Sequence, residues 1–231
     1  MKTMHSLVCT AVLLASCGAA MAQQYVVRVG AVHISPNSVA TDAVGPMVPP
    51  PPSGIGMKVQ SASTLFVSVA RAINDNMEVE FVAGYPPTHA STADLSHHLP
   101  AHVLAYQGLT LAKVRQIAPT VFLNYKFGAP TDRWRPSVGI GINYTNFDKR
   151  TSTVAGNALN GGPTHISMSD SWGLAAQVGL SYRIDERWTI HGGLTTARVK
   201  TRLTATTAGV ARTMDIRFRP AVFSLTAGYA F

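Results

Sequence analysis

From Ala221 to Phe231 the chain alternates without a break. Ala221, Phe223, Leu225, Ala227, Tyr229 and Phe231 share one parity, and Val222, Ser224, Thr226, Gly228 and Ala230 the other. A period of two belongs to a β-strand, whose successive side chains point to opposite faces; a helix would scatter the same row around its circumference. The pattern recurs upstream. Val138, Ile140, Ile142 and Tyr144 alternate with Gly139, Gly141 and Asn143, and Leu174, Ala176, Val178, Leu180 and Tyr182 alternate with Ala175, Gln177, Gly179 and Ser181. No stretch shows a convincing 3.6-residue periodicity, so the fold class is all-β.

Eight segments read as strands: Tyr25 to Ile34, Ser61 to Ile73, Met77 to Tyr85, Val114 to Phe127, Arg135 to Phe147, Ser169 to Arg183, Trp188 to Arg202, and Met214 to Phe231. A soluble sandwich also alternates. Two features separate the readings. The segments reach the roughly ten residues that a tilted membrane-spanning strand needs, with aromatic residues at their ends. The connections also alternate in length. Asn74-Asp75-Asn76, Gly128 to Trp134 and Ile184 to Arg187 are short, whereas Ser35 to Gln60, Pro86 to Lys113, Asp148 to Met168 and Leu203 to Thr213 are long. All long loops therefore fall at one end, as in an eight-stranded antiparallel transmembrane β-barrel with short periplasmic turns and longer extracellular loops.

The start of the chain agrees with export. Lys2 precedes the apolar run Leu7 to Leu14, and Ala20-Met21-Ala22 is a small-x-small cleavage site, so residues 1–22 read as a signal peptide and 23–231 as a single domain. The apolar run is too short for a membrane-spanning helix and no later window is better, which excludes a helical membrane protein. Both cysteines, Cys9 and Cys17, lie inside the signal, leaving neither disulfides nor thiolate sites for the mature chain. Leu14-Ala15-Ser16-Cys17 also resembles a lipobox, which leaves lipidation of Cys17 as an alternative mode of processing. The net charge of +8 could suggest nucleic acid. Export to an envelope makes that a poor partner, and lipid head groups or lipopolysaccharide phosphates a better one.

Two loops stand out by composition. The first holds Pro46 and Pro49-Pro50-Pro51-Pro52, which cannot donate ladder hydrogen bonds and read as a stiff surface loop. The second carries His89, His97, His98 and His102. A metal site needs three or four convergent ligands, and Asp94 is the one nearby carboxylate, so these read as exposed, non-specific histidines and no metal or other cofactor is expected.

Several runs, in order along the chain, carry a resemblance. They are Val27-Arg28-Val29-Gly30-Ala31-Val32-His33-Ile34-Ser35-Pro36, Met77-Glu78-Val79-Glu80, Pro119-Thr120-Val121-Phe122-Leu123-Asn124-Tyr125-Lys126-Phe127-Gly128, the Arg135 to Thr145 segment, Asp170-Ser171-Trp172-Gly173-Leu174 with its continuation to Gly179, and Gly228-Tyr229-Ala230-Phe231. Together they resemble the outer membrane protein W (OmpW) family. The resemblance implies an eight-stranded barrel with a narrow hydrophobic channel for passive uptake of small hydrophobic molecules; one family relative serves alkane uptake. It also implies that Trp172 lines or gates the channel. The parity of its strand instead puts Trp172 outward with Leu174, so either a bulge re-aims it or it is an interface aromatic. The proline-rich and histidine-rich loops depart from the family pattern.

The inward parity collects Arg28, Glu78, Glu80, Lys126, Arg183 and His191. Buried charges must pair, so these are expected to form a network that plugs the lower lumen, with Phe66 and Phe122 continuing an apolar pocket above it. A hydrophobic solute would then leave sideways into the bilayer. An enzyme built on His191 or His33 with nearby serines lacks any G-x-S-x-G elbow. A lipocalin-like soluble barrel, and a structural or adhesive barrel whose loops bind external partners, are the other readings. Phe223, Leu225, Tyr229 and Phe231 form a lipid-facing row that resembles the signal recognised by the outer-membrane assembly machinery.

Overall fold

The computed structural model describes residues 25–231; the signal-peptide reading and Cys17 lie outside the described residues. Fifteen strands follow one another: β1 (Tyr25–Ser35), β2 (Ser38–Ala40), β3 (Ile55–Val59), β4 (Ala62–Ala72), β5 (Met77–Gly84), β6 (Thr88–Leu95), β7 (Thr110–Ile117), β8 (Thr120–Lys126), β9 (Trp134–Ser152), β10 (Thr164–Met168), β11 (Ser171–Arg183), β12 (Trp188–Ala197), β13 (Val199–Thr207), β14 (Val210–Phe218) and β15 (Ala221–Ala230). A helical turn, Ala101–Leu104, and a short helix, Val154–Asn160, lie between them.

Eight strands close into an antiparallel barrel in the order β1-β4-β5-β8-β9-β11-β12-β15, with β15 pairing back to β1. The seam runs from Val26↔Ala230 to Ser35↔Ala221, and the Phe231 amide donates to the Tyr25 carbonyl, 2.9 Å. Closure leaves no barrel edge with unpaired backbone groups, the condition for spanning lipid with strands.

The outward faces are apolar all round, for example Val29, Leu65, Phe81, Val121, Ile140, Leu174, Ile190 and Leu225. Aromatics rim this belt at both ends. At the turn end Trp134 packs against Tyr182 at 4.6 Å and Tyr229 lies between Trp188 and Phe231 at 5.0 and 4.9 Å; at the loop end Tyr144 packs against Trp172 at 4.8 Å. Trp172 and Tyr182 mark the two rims of β11. At about 3.3 Å per residue and a tilt near 40°, the ten steps between them span roughly 25 Å, the height of an outer-membrane apolar band.

The long connections, expected as loops, are largely made of strands. The first contains β2 and β3, the second β6 and the start of β7, the third the end of β9 and β10, and the last the turn between β13 and β14. β3, β6 and β7 extend the wall upward beside the upper half of β9, and β10, β13, β14 and β2 form a second sheet. Between them lies an apolar core of Val114, Phe147, Ile166, Leu203, Met214, Ile216 and Phe218. His89, expected to be exposed, is buried, and its Nδ1 lies 2.9 Å from the Gln60 carbonyl. Three expected strands are each split in two, at Ala118-Pro119, Arg198 and Arg219-Pro220. Pro119 and Pro220 have no N–H for a ladder, and at Arg198 the amide still bonds β11, at the Leu174 carbonyl, one step past the paired stretch.

Candidate functional site

The interior of the barrel is set by register. Glu78 on β5 faces Asn124 on β8, Asn124 faces Gly139 on β9, Gly139 faces Gln177 on β11, and Gln177 faces Thr195 on β12. Because the strands of a barrel are tilted and staggered, this inward row climbs the wall as it crosses them. Arg28 on β1, paired with Ser68 on β4, meets its carboxylates from the other flank of β5.

Arg28 is buried and forks onto two carboxylates. Its Nη1 donates to Glu80 Oε1 at 2.7 Å and its Nη2 to Glu78 Oε1 at 2.9 Å. Lys126 Nζ lies 2.6 Å from Glu78 Oε2. The remaining acceptor sites are filled by neutral donors: Ser68 Oγ to Glu80 Oε1 at 2.6 Å, Asn124 Nδ2 to Glu80 Oε2 at 2.9 Å, and Gln177 Nε2 to Glu80 Oε2 at 3.0 Å. Two cations thus meet two carboxylates, and each carboxylate also accepts from a neutral side chain, the condition under which buried ion pairs are tolerated. Gly139 makes room for this layer, because a Cβ there would collide with Asn124 Oδ1.

Four of the six residues expected in the network are in it: Arg28, Glu78, Glu80 and Lys126. Arg183 is not. It sits at the turn-end rim, donating to the carbonyls of Pro130 and Thr131. Parity gave its face correctly, but the end of a strand lies below the row. His191 is also outside the ion pairs, its Nδ1 2.9 Å from Ser181 Oγ on the adjacent strand. Ser68, Asn124 and Gln177 were missed. They share the inward parity of the charged residues, and nothing short of register distinguishes them from other small polar residues there.

The network divides the lumen. Above it lies a cavity of about 130 Å³ whose lining is mainly apolar, with Val32, Phe66, Val82, Phe122, Ala175 and Val222, but also holds Thr120, Asn143 and His191, with Glu80 and Gln177 at its floor. Phe66 and Phe122 therefore occupy the expected place, and Phe122 is 1% exposed. Below lies a vestibule of about 550 Å³ bordered by Arg28, Lys126, Arg133, Arg135, Arg183 and Arg187. Trp172 borders neither. It is 73% exposed on the outer face, and the β9–β11 register runs without a bulge from Ser171↔Thr145 to Tyr182↔Trp134. The lining role implied by the family resemblance is thus corrected: nothing re-aims the indole, and it joins the aromatic rim. Phe223, Leu225 and Phe231 are likewise exposed outward, and the Tyr229 hydroxyl accepts from Arg187.

A closed barrel with an apolar belt, two aromatic rims and a charge-sealed interior defines an integral outer-membrane β-barrel. A sequence model of the OmpW family matches residues 22–231, and the chain belongs to that family. It is similar to outer membrane protein W of Vibrio cholerae, 27% identical over 90% of this chain and 88% of that one. It is 28% identical to outer membrane protein W of Escherichia coli over 99% and 98% of the two chains. Among solved structures, the crystal structure of OprG from Pseudomonas aeruginosa covers 91% of this chain and 96% of that one, with a TM-score of 0.77 at 23% identity. That likeness concerns the fold. These relatives are outer-membrane proteins. Neither Ser–His pair, Ser181–His191 or Ser63–His33, has a carboxylate hydrogen-bonded to its imidazole among the described residues, so neither has the third member of a hydrolytic triad.

Proposed function

We propose that the barrel passes small hydrophobic solutes from outside the cell into the bilayer by passive diffusion. The observation that carries this reading is a mainly apolar cavity seated directly on a sealed layer of charge. An eight-stranded barrel has room for side chains or one small ligand. An apolar solute reaching Phe66 and Phe122 from the loop end would have to separate the Arg28 ion pairs to continue along the axis.

A sideways route is easier. The β5–β8 ladder ends at Val82↔Thr120, and pairing resumes in β6–β7 at Thr88↔Arg115. The intervening chain includes Pro86, Pro87 and Pro119, which have no N–H to give, and it borders the upper cavity. On the outside, Leu65, Tyr85 and Val121 are exposed toward lipid. One backbone bond, from the Gln116 amide to the Pro87 carbonyl at 2.9 Å, crosses the upper side of this gap; a wall with so few ladder bonds parts at lower cost than a fully paired one, so the solute leaves here.

Protein reconstituted in liposomes is expected to speed uptake of an alkane or methyl octanoate while barely admitting a sugar or ion of similar size. Ala83→Trp and Ala118→Trp, on either side of the gap, are expected to slow the apolar solute several-fold. Equal permeation of both solute classes would overturn the reading.

A further inference from the structure

The outer sheets carry a second cavity, of about 340 Å³, separate from the one in the barrel. All four long connections contribute to it: Met47, Val48 and Pro49 from the first, Leu99 and Val103 from the second, Leu159 from the third, and Leu203 and Ala205 from the last. Its volume falls in the range of small-molecule sites, roughly 300–1,000 Å³.

One charged side chain interrupts this apolar lining. Arg212 projects from β14, where the first connection is clamped over it. Val44 and Thr213 exchange two backbone hydrogen bonds, 2.9 and 2.8 Å, and Gly45 follows at positive φ, so close that a Cβ there would press on Arg212. The proline-rich loop that the fold did not otherwise explain is thus a lid on this guanidinium. Among the described residues, Arg212 Nη1 is buried with no hydrogen-bond partner, and Nη2 has only the Met47 sulfur at 4.0 Å. No carboxylate lines the cavity among the described residues. Arginine cannot discard its charge, and a buried guanidinium nitrogen without an acceptor is costly. A bound anion would supply the acceptor, and the surrounding apolar wall calls for the rest of the ligand to be hydrocarbon.

We propose that this cavity is a binding site for amphipathic monoanions, a carboxylate on an alkyl chain, with the carboxylate on Arg212 and the chain against Met57, Leu99, Leu111 and Met214. The site selects by head group, which the charge-sealed barrel beneath it cannot do for an apolar solute. It stands apart from the transport reading, because it concerns occupancy of the outer sheets whatever then crosses the barrel.

Three methionines, Met47, Met57 and Met214, line the cavity, while Met77 lies at the start of β5, at the turn end. Methyl-labelled methionine in the full chain, held in nanodiscs, therefore reads local occupancy apart from partition into lipid. Decanoate is expected to shift the three cavity methyls, leaving Met77 unmoved, at a concentration at least tenfold below that needed for methyl decanoate. Arg212→Gln is expected to abolish that preference while the ester still binds at its original concentration; Arg212→Lys is expected to retain part of it. Equal titration by acid and ester, or a preference that survives Arg212→Gln, would overturn the proposal. Liposome uptake of an apolar solute by Arg212→Gln is expected to equal that of the parent, so a failure of transport and a failure of this site read out separately.

Discussion

The barrel and the sheets above it are built from the same antiparallel pairing, yet their insides are opposite in kind. In the barrel, Ile140, Leu174 and Leu225 face outward, and Arg28, Glu78, Glu80 and Asn124 are buried. In the outer sheets, Ile216, Phe218 and Phe147 are buried, and Arg202 and Asp215 pair on the surface. The solvent changes between the two regions, and the strands invert with it. Lipid takes the apolar parity and leaves polar groups to satisfy each other inside; water does the reverse. Within one chain, the direction of apolar side chains thus marks where the membrane ends.

The largest test of this contrast is Arg28→Met. It leaves Glu80 without its cation and Glu78 with Lys126 alone, and loss of one partner of a buried ion pair costs about 3–5 kcal/mol. The urea midpoint of the heat-modifiable barrel in vesicles should fall accordingly. Replacing Arg28, Glu78, Glu80 and Lys126 together by apolar residues should restore most of it, because no unpaired charge of the network remains. A single variant as stable as the parent would break the claim that the network is sealed.

Ile216→Ala probes the other interior. Ile216 is 2% exposed in the outer core, and such truncations cost about 2–5 kcal/mol. The loss should appear in hydrogen exchange of β13 and β14, with protection of β11 and β12 unchanged. Uniform loss throughout the barrel would mean the two regions do not fold as distinct units.

The smallest effect concerns the junction. Arg115 donates to both oxygens of Asp148, through Nε at 2.7 Å and through Nη2. These bonds hold the Asp148 carboxyl below its ordinary range. A depressed carboxyl contributes stability above its unfolded pKa and loses it as the pH falls through the lowered folded value. Protection of the upper β7–β9 ladder should therefore persist into mild acid and weaken below the usual carboxylate range. Both side chains are partly exposed, so the change should be small. Asp148→Asn should remove the pH dependence.

Most of the barrel was legible because a strand's parity is tied directly to its environment. Trp172 shows this well: alternation placed it outward, and the register agrees, whereas the family resemblance pointed inward. The outer sheets were illegible for a related reason. Thr88–Leu95 reads Thr-His-Ala-Ser-Thr-Ala-Asp-Leu, a run of small and polar residues with little strand propensity, held as β by neighbours distant in sequence. Height was equally hidden. Alternation tells which face Arg183 and Asn124 occupy, but only cross-strand register shows that Asn124 meets Glu78 while Arg183 lies at the rim.

The seam between β1 and β15 has a consequence for how such a chain is made. The strands that close the barrel lie at opposite ends of the described residues, from Val26↔Ala230 to Ser35↔Ala221, so closure is the most nonlocal contact available to them. Until β15 arrives, β1 presents an open edge and the apolar belt has no lipid to face. Long-range pairing of this sort is slow and leaves the unfinished chain prone to aggregation. Closure of the barrel therefore waits on the last strand of the sheet, and until then the unpaired edge of β1 is open to any other strand that meets it.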